Sequence, residues 1–311
     1  MLVVTGGAGF IGSNILRGLN DAGEKNILVV DNLSNAQKHL NLNRMSFTDY
    51  MDKDDFLAKM PKIKNVSTIF HQGACSSTTE EDGKYMMSNN YEYSKTLLNN
   101  CLEHKIDFLY ASSAAIYGNG DNGFTEQPKS EYPLNVYGFS KFAFDNYVRQ
   151  ILPKAEIQIL GLRYFNVYGP QENHKGRMAS VAFHLFNQLK DSGKMRLFEG
   201  SEEFRRDFIH VADAVKINLH FYQTRSSGIF NAGTGKSRSF TDIARAMQEI
   251  HGSGGIEYIP FPEDLHGKYQ NFTEADLDNL RQAGYREDFM SLEDGVKQYY
   301  DQLFSNDGLY I

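Results

Sequence analysis

Leu2-Val3-Val4-Thr5-Gly6-Gly7-Ala8-Gly9-Phe10-Ile11-Gly12 stands at the head of the chain, and its reading decides the fold. Leu2 to Thr5 is a short apolar run of the kind buried on both faces of a parallel sheet. Gly6, Gly9 and Gly12 are evenly spaced after it, and Ser13 to Leu19 places apolar residues at helical intervals. Glycines between a strand and a helix allow a tight turn and close backbone approach to a pyrophosphate. The helix start adds free N–H groups and the positive end of its dipole. A second strand is expected over 26–30 and runs into Asp31, about 20 residues past the turn, where an acid holds the adenosine ribose hydroxyls. Gly6, Gly9, Phe10, Ile11, Gly12, Asp31 and Asn32 are therefore expected at a dinucleotide cofactor. Lys38 and Lys53 follow, and either could pair a 2′-phosphate. Read by themselves they serve equally well as solvated lysines, so the residues leave NAD and NADP open.

Working outward, Val66 to His71 reads as another strand, followed by the small residues Gln72-Gly73-Ala74-Cys75-Ser76, which let a cofactor lie close to the backbone. A long helix is expected from about Asn89 to His104, with Asn89 turned inwards. Phe108 to Ala111 reads as a strand whose end carries Ser113, and strand ends in such sheets face the ligand crevice. This alternation predicts an α/β fold, a Rossmann-like doubly wound parallel sheet. After Pro170 the rhythm loosens. Ile209-His210-Val211 and Ile229-Phe230-Asn231 are expected to return to the first domain. The division is then 1–170 plus about 207–232 for the nucleotide-binding domain. A smaller, discontinuous α/β substrate-binding lobe takes about 171–206 plus 233–311.

Tyr137-Gly138-Phe139-Ser140-Lys141 puts a phenol and an ammonium four residues apart, on one face of a helix. A phenol ionises near pH 10, so it needs help to act as a base at neutral pH. The adjacent ammonium is expected to supply that help by favouring the phenolate.

Composition narrows the class. The 311 residues are 41% hydrophobic and 23% charged, with a net charge of −7, which argues against nucleic acid or a membrane surface as partner. Two cysteines, Cys75 and Cys101, form no disulfide framework and are expected to be buried thiols in a reducing cytoplasm. Leu2 runs directly into the glycine turn, so no signal peptide is expected, and no apolar run approaches a membrane span. Nine histidines lack ligand spacing, and no metal is expected.

With glycine turn, strand-end Ser113 and Tyr137-x-x-x-Lys141 in chain order, the sequence resembles the extended short-chain dehydrogenase/reductase superfamily. Arg163 to Pro170 is similar to the segment that closes over the nicotinamide in its nucleotide-sugar epimerases and dehydratases. Dehydratases carry an Asp-Glu pair after the triad hydroxyl; here Ala114 and Ala115 stand there, which argues against dehydration. Longer stretches resemble one subfamily, the ADP-L-glycero-D-manno-heptose 6-epimerases: His71 to Glu80, Gly83 to Met87, His174 to His184, Phe198 to Ser201, Arg205 to Phe208 and Gly267 to Gln270. Gln72 departs from the expected Glu, and Arg177 from the expected small Ser.

The resemblance implies inversion of one carbinol, C6 of an ADP-bound heptose, by transient oxidation to a ketone and return of hydride to its other face, in making the lipopolysaccharide core. It implies a tightly bound NADP, which favours the phosphate-pairing reading of Lys38 and Lys53. Tyr137 and Lys175 are the implied acid/bases, with Lys141 and Ser113 assisting. Lys141, Lys175, Val167, Asn89, and Gln72 through Ser76 are implied at the cofactor. Asn166, Arg177, His184, Phe198, Glu199, Gly200, Ser201, Arg206 and Tyr269 are implied at the ADP-heptose substrate. A homo-oligomer, pentameric in the family, is implied too. The rivals are a UDP-hexose 4-epimerase and a non-enzymatic dinucleotide-sensing regulator.

Overall fold

A computed structural model describes residues 1–261 and 270–310. The strands are β1 (Leu2–Thr5), β2 (Ile27–Asp31), β3 (Asp49–Asp52), β4 (Thr68–His71), β5 (Asp107–Ser113) and β6 (Ile159–Tyr164), then β7 (Asn166–Tyr168), β8 (Lys194–Phe198), β9 (Arg205–His210), β10 (Gly228–Ala232), β11 (Ser237–Ser239) and β12 (Gly255–Ile259). A seven-stranded sheet in the order β10-β6-β5-β4-β1-β2-β3 is parallel throughout. The chain leaves β1 in one direction to β2 and β3, then returns to β4 on the other side. The crevice between the ends of β1 and β4 is therefore the topological switch point where ligands bind in open sheets.

The helices are α1 (Phe10–Asp21), α2 (Lys53–Lys59), α3 (Gly83–Met86), α4 (Tyr93–His104) and α5 (Val136–Ile151), then α6 (Val181–Ser192), α7 (Val211–Thr224), α8 (Phe240–His251), α9 (Asp278–Gln282) and α10 (Leu292–Asn306). Period-2 alternation decides which face of the sheet each helix covers. Leu2 and Val4 point into a core shared with Ile15, Leu16 and Leu19 of α1 and Ile217 and Phe221 of α7. Val3 points the other way, into a core with Leu97, Leu98 and Cys101 of α4 and Phe144 and Val148 of α5. A separate core joins α6, α8 and α10 through Phe186, Met247, Val296 and Tyr299.

Several details differ from the sequence reading. Ile229 to Asn231 lies in β10 of the large sheet, but Ile209 and His210 lie in β9, which joins β7 and β11 in a second, three-stranded sheet. β3, Asp-Tyr-Met-Asp at the sheet edge, is half-exposed and has no apolar run to announce it. The expected helix from Asn89 starts instead as a π-helical stretch, Met87–Glu92, before α4. Cys101 is buried but Cys75 is only partly so. No helix among the described residues is long and apolar enough to cross a membrane.

Burial of His71 and His210 and partial burial of His174 make stability pH-dependent. It lowers His71 from 6.5 to about 3, with the Lys141 charge adding to the effect, and brings His174 and His210 to about 4. Between those values and 6.5 the unfolded chain binds protons that the native state does not. Stability must therefore fall as pH drops through this window. Urea midpoints are expected to decrease steadily from pH 7 to pH 5. A flat midpoint across that range contradicts the neutral, buried state of these rings.

Candidate active site

The glycine turn and the loop after β4 are pressed together. A Cβ on Gly6, whose φ is +64°, would sit 2.6 Å from Gly73 Cα, and one on Gly12 would sit 2.1 Å from the Gly6 carbonyl oxygen. Neither position has room for a side chain. α1 begins at Gly9 with no side-chain cap and no acidic residue in its first turn, so its positive end is left for an anion. Asp31 ends β2 beside this turn: Oδ2 accepts from the Ala8 N–H at 2.9 Å. The backbone cradle, the uncapped helix and the strand-end acid fit a dinucleotide.

Lys38 and Lys53 are not free cations. Lys38 Nζ lies 2.6 Å from Asp31 Oδ1 and donates to the Asn32 carbonyl at 3.2 Å. Lys53 Nζ pairs with Asp54 at 3.0 Å and lies over the Tyr93 ring. Each has a local partner that a 2′-phosphate would have to displace.

Ser113 ends β5, and its hydroxyl accepts from the Ala115 N–H at 3.1 Å, capping a short 3-10 turn over 114–117. α5 packs end-on against that turn. Asn135 caps it through the Gly138 N–H at 2.8 Å. A Cβ on Gly138 would come within 2.7 Å of the Ala115 carbonyl. That approach turns Tyr137 toward Ser113, whose hydroxyl favours the phenolate. Lys141, buried one turn further, donates to the Ala111 carbonyl at 2.8 Å. Burial lowers Lys141 to about 8, opposed by the charges of Asp145 and Cys75. Tyr137 is also affected most by burial, which raises it above the usual phenol value while the Ser113 bond works against the rise. The expected lowering by Lys141 is thus not met in this structure: burial dominates the shift of Tyr137, and the amine is turned to the Ala111 carbonyl.

Behind the pair lies a buried ion network. Asp145, two turns past Tyr137 on α5, accepts from Tyr110 at 2.9 Å, Ser112 at 3.0 Å and Arg163 Nε at 2.9 Å. Arg163 is fully buried, reaches the Tyr117 hydroxyl at 2.9 Å and pairs with Glu131, which also holds Arg149.

Lys175 lies in a 3-10 turn, Asn173–Met178, with its Nζ 4.9 Å from the centre of the Phe10 ring and 3.6 Å from Glu172 Oε2. Three side-chain and main-chain clasps fix the approach to this turn. Asn14 Nδ2 donates to the Pro170 carbonyl at 3.0 Å, Asn41 Nδ2 to the Gln171 carbonyl at 3.0 Å, and the Gln171 N–H to the Gly308 carbonyl at 2.8 Å.

The other anticipated residues fall in several places. Gln72, Gly73, Ala74 and Cys75 line the end of β4, half-buried, and Ser76 is exposed. Asn89 is half-buried, and its Nδ2 donates to the Oδ1 of Asn90 at 3.1 Å. Asn90 lies deeper, at 1% exposure, accepting from the Cys75 N–H at 2.8 Å and donating to the Cys75 carbonyl at 2.9 Å and the Ser140 hydroxyl at 3.2 Å. Asn166 is exposed on β7 and Val167 half-buried beside it. Arg177, Glu199 and Gly200 are exposed, and His184 and Phe198 are half-buried. Ser201 is buried within the second lobe, its hydroxyl 3.1 Å from that of Thr241. Arg206 is buried over the Phe240 ring, 5.8 Å from its centre. Gly267, Lys268 and Tyr269 lie outside the described residues. Gly138, Asn90 and Glu172 were not anticipated. Gly138 alone had a visible signal, as a glycine in the first turn of a catalytic helix.

A parallel sheet with a glycine cradle at its switch point and a Ser-Tyr-Lys group on its rim fits a nicotinamide-dependent class of enzyme. The chain belongs to the NAD dependent epimerase/dehydratase family, whose pattern matches residues 2–233. Within it, the chain is 58% identical over 315 residues to the ADP-L-glycero-D-manno-heptose-6-epimerase of Brachyspira hyodysenteriae, covering 99% of each chain. The subfamily resemblance drawn from the sequence holds at full length. The crystal structure of the Helicobacter pylori ADP-L-glycero-D-manno-heptose-6-epimerase is similar with a TM-score of 0.85 at 29% identity, over 98% of this chain and 96% of that one. The Thermus thermophilus UDP-glucose 4-epimerase in complex with NAD is similar with a TM-score of 0.80 at 25% identity, over 98% and 99%.

Proposed function

We propose that the chain is an ADP-heptose 6-epimerase, inverting C6 of ADP-D-glycero-D-manno-heptose with a bound NADP. The observation that carries this reading is the full-length likeness to a 6-epimerase, 58% identity over 99% of both chains. The site's chemistry agrees: Ala114 and Ala115 stand beside Ser113, so no acid/base pair for expelling water is present there.

A bound nicotinamide supplies reversible oxidation of the C6 carbinol. The chain's residues do the rest. Tyr137 takes and returns the proton of the C6 oxygen, and Ser113 hydrogen-bonds that oxygen. Lys141 holds the nicotinamide ribose and favours the phenolate when charged. Lys175 serves as the second acid/base once the planar ketone presents its other face. Asp31, Asn32, Lys38 and Lys53 hold the adenosine end, with the two lysines exchanging their carboxylate partners for a 2′-phosphate. Arg206 faces the ADP pyrophosphate, and Asn166, Arg177, His184, 198–201 and Tyr269 shape the sugar and nucleotide space. The nucleotide domain takes 1–170 plus about 207–232, and the substrate lobe the remainder. The enzyme works in the cytoplasm as a homo-oligomer, in lipopolysaccharide core synthesis.

Incubating the purified protein with ADP-D-glycero-D-manno-heptose and, separately, UDP-galactose tests the reading. Epimerisation of the heptose without external reductant is expected. Turnover of UDP-galactose alone overturns it in favour of a 4-epimerase, and steady cofactor consumption indicates a reductase. Mass spectrometry of the denatured supernatant is expected to find NADP; NAD there overturns the cofactor assignment.

A further inference from the structure

Glu172 is fully buried, yet its carboxylate is surrounded by donors. Oε1 accepts from the Ser180 hydroxyl at 2.5 Å and the Tyr299 hydroxyl at 3.0 Å. Oε2 accepts from the Ser180 N–H at 2.6 Å and lies 3.6 Å from Lys175 Nζ. Ser180 caps α6, so the carboxylate sits at the positive end of that helix. Three hydrogen bonds and a helix end satisfy a charge that burial alone would penalise. The same residue's carbonyl accepts the Lys175 N–H at 2.9 Å. Main chain and side chain of Glu172 therefore both aim Lys175, whose ammonium rests on its other side against Phe10.

We propose that Glu172 is a positioning residue for Lys175, its buried carboxylate fixing the amine beside Phe10 at the head of α1. This rests on the reading of Lys175 as the second acid/base. Mere adhesion between α6, α10 and the 173–178 turn would not need the charge. A glutamine with its oxygen in the Oε2 place keeps the Ser180 N–H bond, and its NH2 in the Oε1 place can donate to the Ser180 and Tyr299 hydroxyls.

The test compares Glu172→Gln, Glu172→Asp and Lys175→Met in the purified enzyme with its copurified dinucleotide. Epimerisation kinetics are followed together with the rate at which an amine-reactive acylating reagent modifies Lys175, read by peptide mass spectrometry. In Glu172→Gln, kcat is expected to fall about 10- to 100-fold with KM little changed, because a displaced catalytic group costs that much. Labelling of the released amine is expected to rise about three- to tenfold. Glu172→Asp keeps the charge at shorter reach and is expected to fall between wild type and Gln in both measurements. Wild-type kcat and labelling in Glu172→Gln overturn the proposal if Lys175→Met is impaired. Wild-type turnover in Lys175→Met overturns the reading of Lys175 itself. If Glu172→Gln does not fold, wild-type behaviour of Glu172→Asp in both measurements assigns Glu172 to structure alone and overturns the proposal.

Discussion

Tyr137→Phe is expected to lower epimerisation by about 10²- to 10⁴-fold while leaving the protein folded, the range typical of losing a positioned acid/base. Only one oxygen is removed. A hydroxyl contact of this kind is worth at most about 1 kcal/mol, so the melting transition should move little. KM should change little as well, because the phenol acts on the reacting oxygen and not on the nucleotide. Interconversion of the two heptose epimers by the variant, assayed in both directions, is the measurement. Turnover within tenfold of wild type would remove Tyr137 from the mechanism. The raised phenol and the lowered Lys141 sharpen the expectation.

Arg163→Met is expected to have the largest effect on stability, about 3–5 kcal/mol, by leaving buried carboxylates without their counter-ion. Arg163 is fully buried, and Asp145 lies 2.9 Å from its Nε with Glu131 at 2.5 Å from Nη2. Tyr110 and Ser112 would still donate to Asp145, and Arg149 to Glu131, but neither side could regain water. Urea denaturation measures this, and a loss below about 1 kcal/mol would mean that the network relaxes freely. Activity should fall with stability. Tyr137, Lys141 and Asp145 share one face of α5, so loosening the last loosens the seat of the first two.

The sheet and the rim of the site were legible because periodicity and glycine spacing are local signals. Leu2 to Thr5 could hardly be anything but a buried strand, and Gly6 and Gly12 stand where the backbone itself makes contact. What was not legible depends on contacts across the chain. β3 is held by pairing with β2, not by its own composition. Asn90 lies deeper than Asn89 in a π-helical stretch that spacing alone does not announce. The upward direction of Tyr137 follows from its burial, which no spacing reports. Glu172 gave no sign, since its donors come from Ser180 and from Tyr299 on a distant helix. Lys38 and Lys53 were recognised as cations, but their carboxylate partners emerged only with the folded loops.

The clasps that tie Pro170 and Gln171 to Asn14, Asn41 and the Gly308 carbonyl have a consequence for inhibition. They hold the main chain that leads into the Lys175 turn, so under the proposed scheme it is the sugar that turns inside the cleft to meet first one acid/base and then the other. A sugar that turns needs spare volume around it, and grip must then come from the nucleotide end. A compound that keeps the adenosine diphosphate and replaces the heptose with a bulkier, rigid group would occupy the volume that the natural ligand has to leave empty.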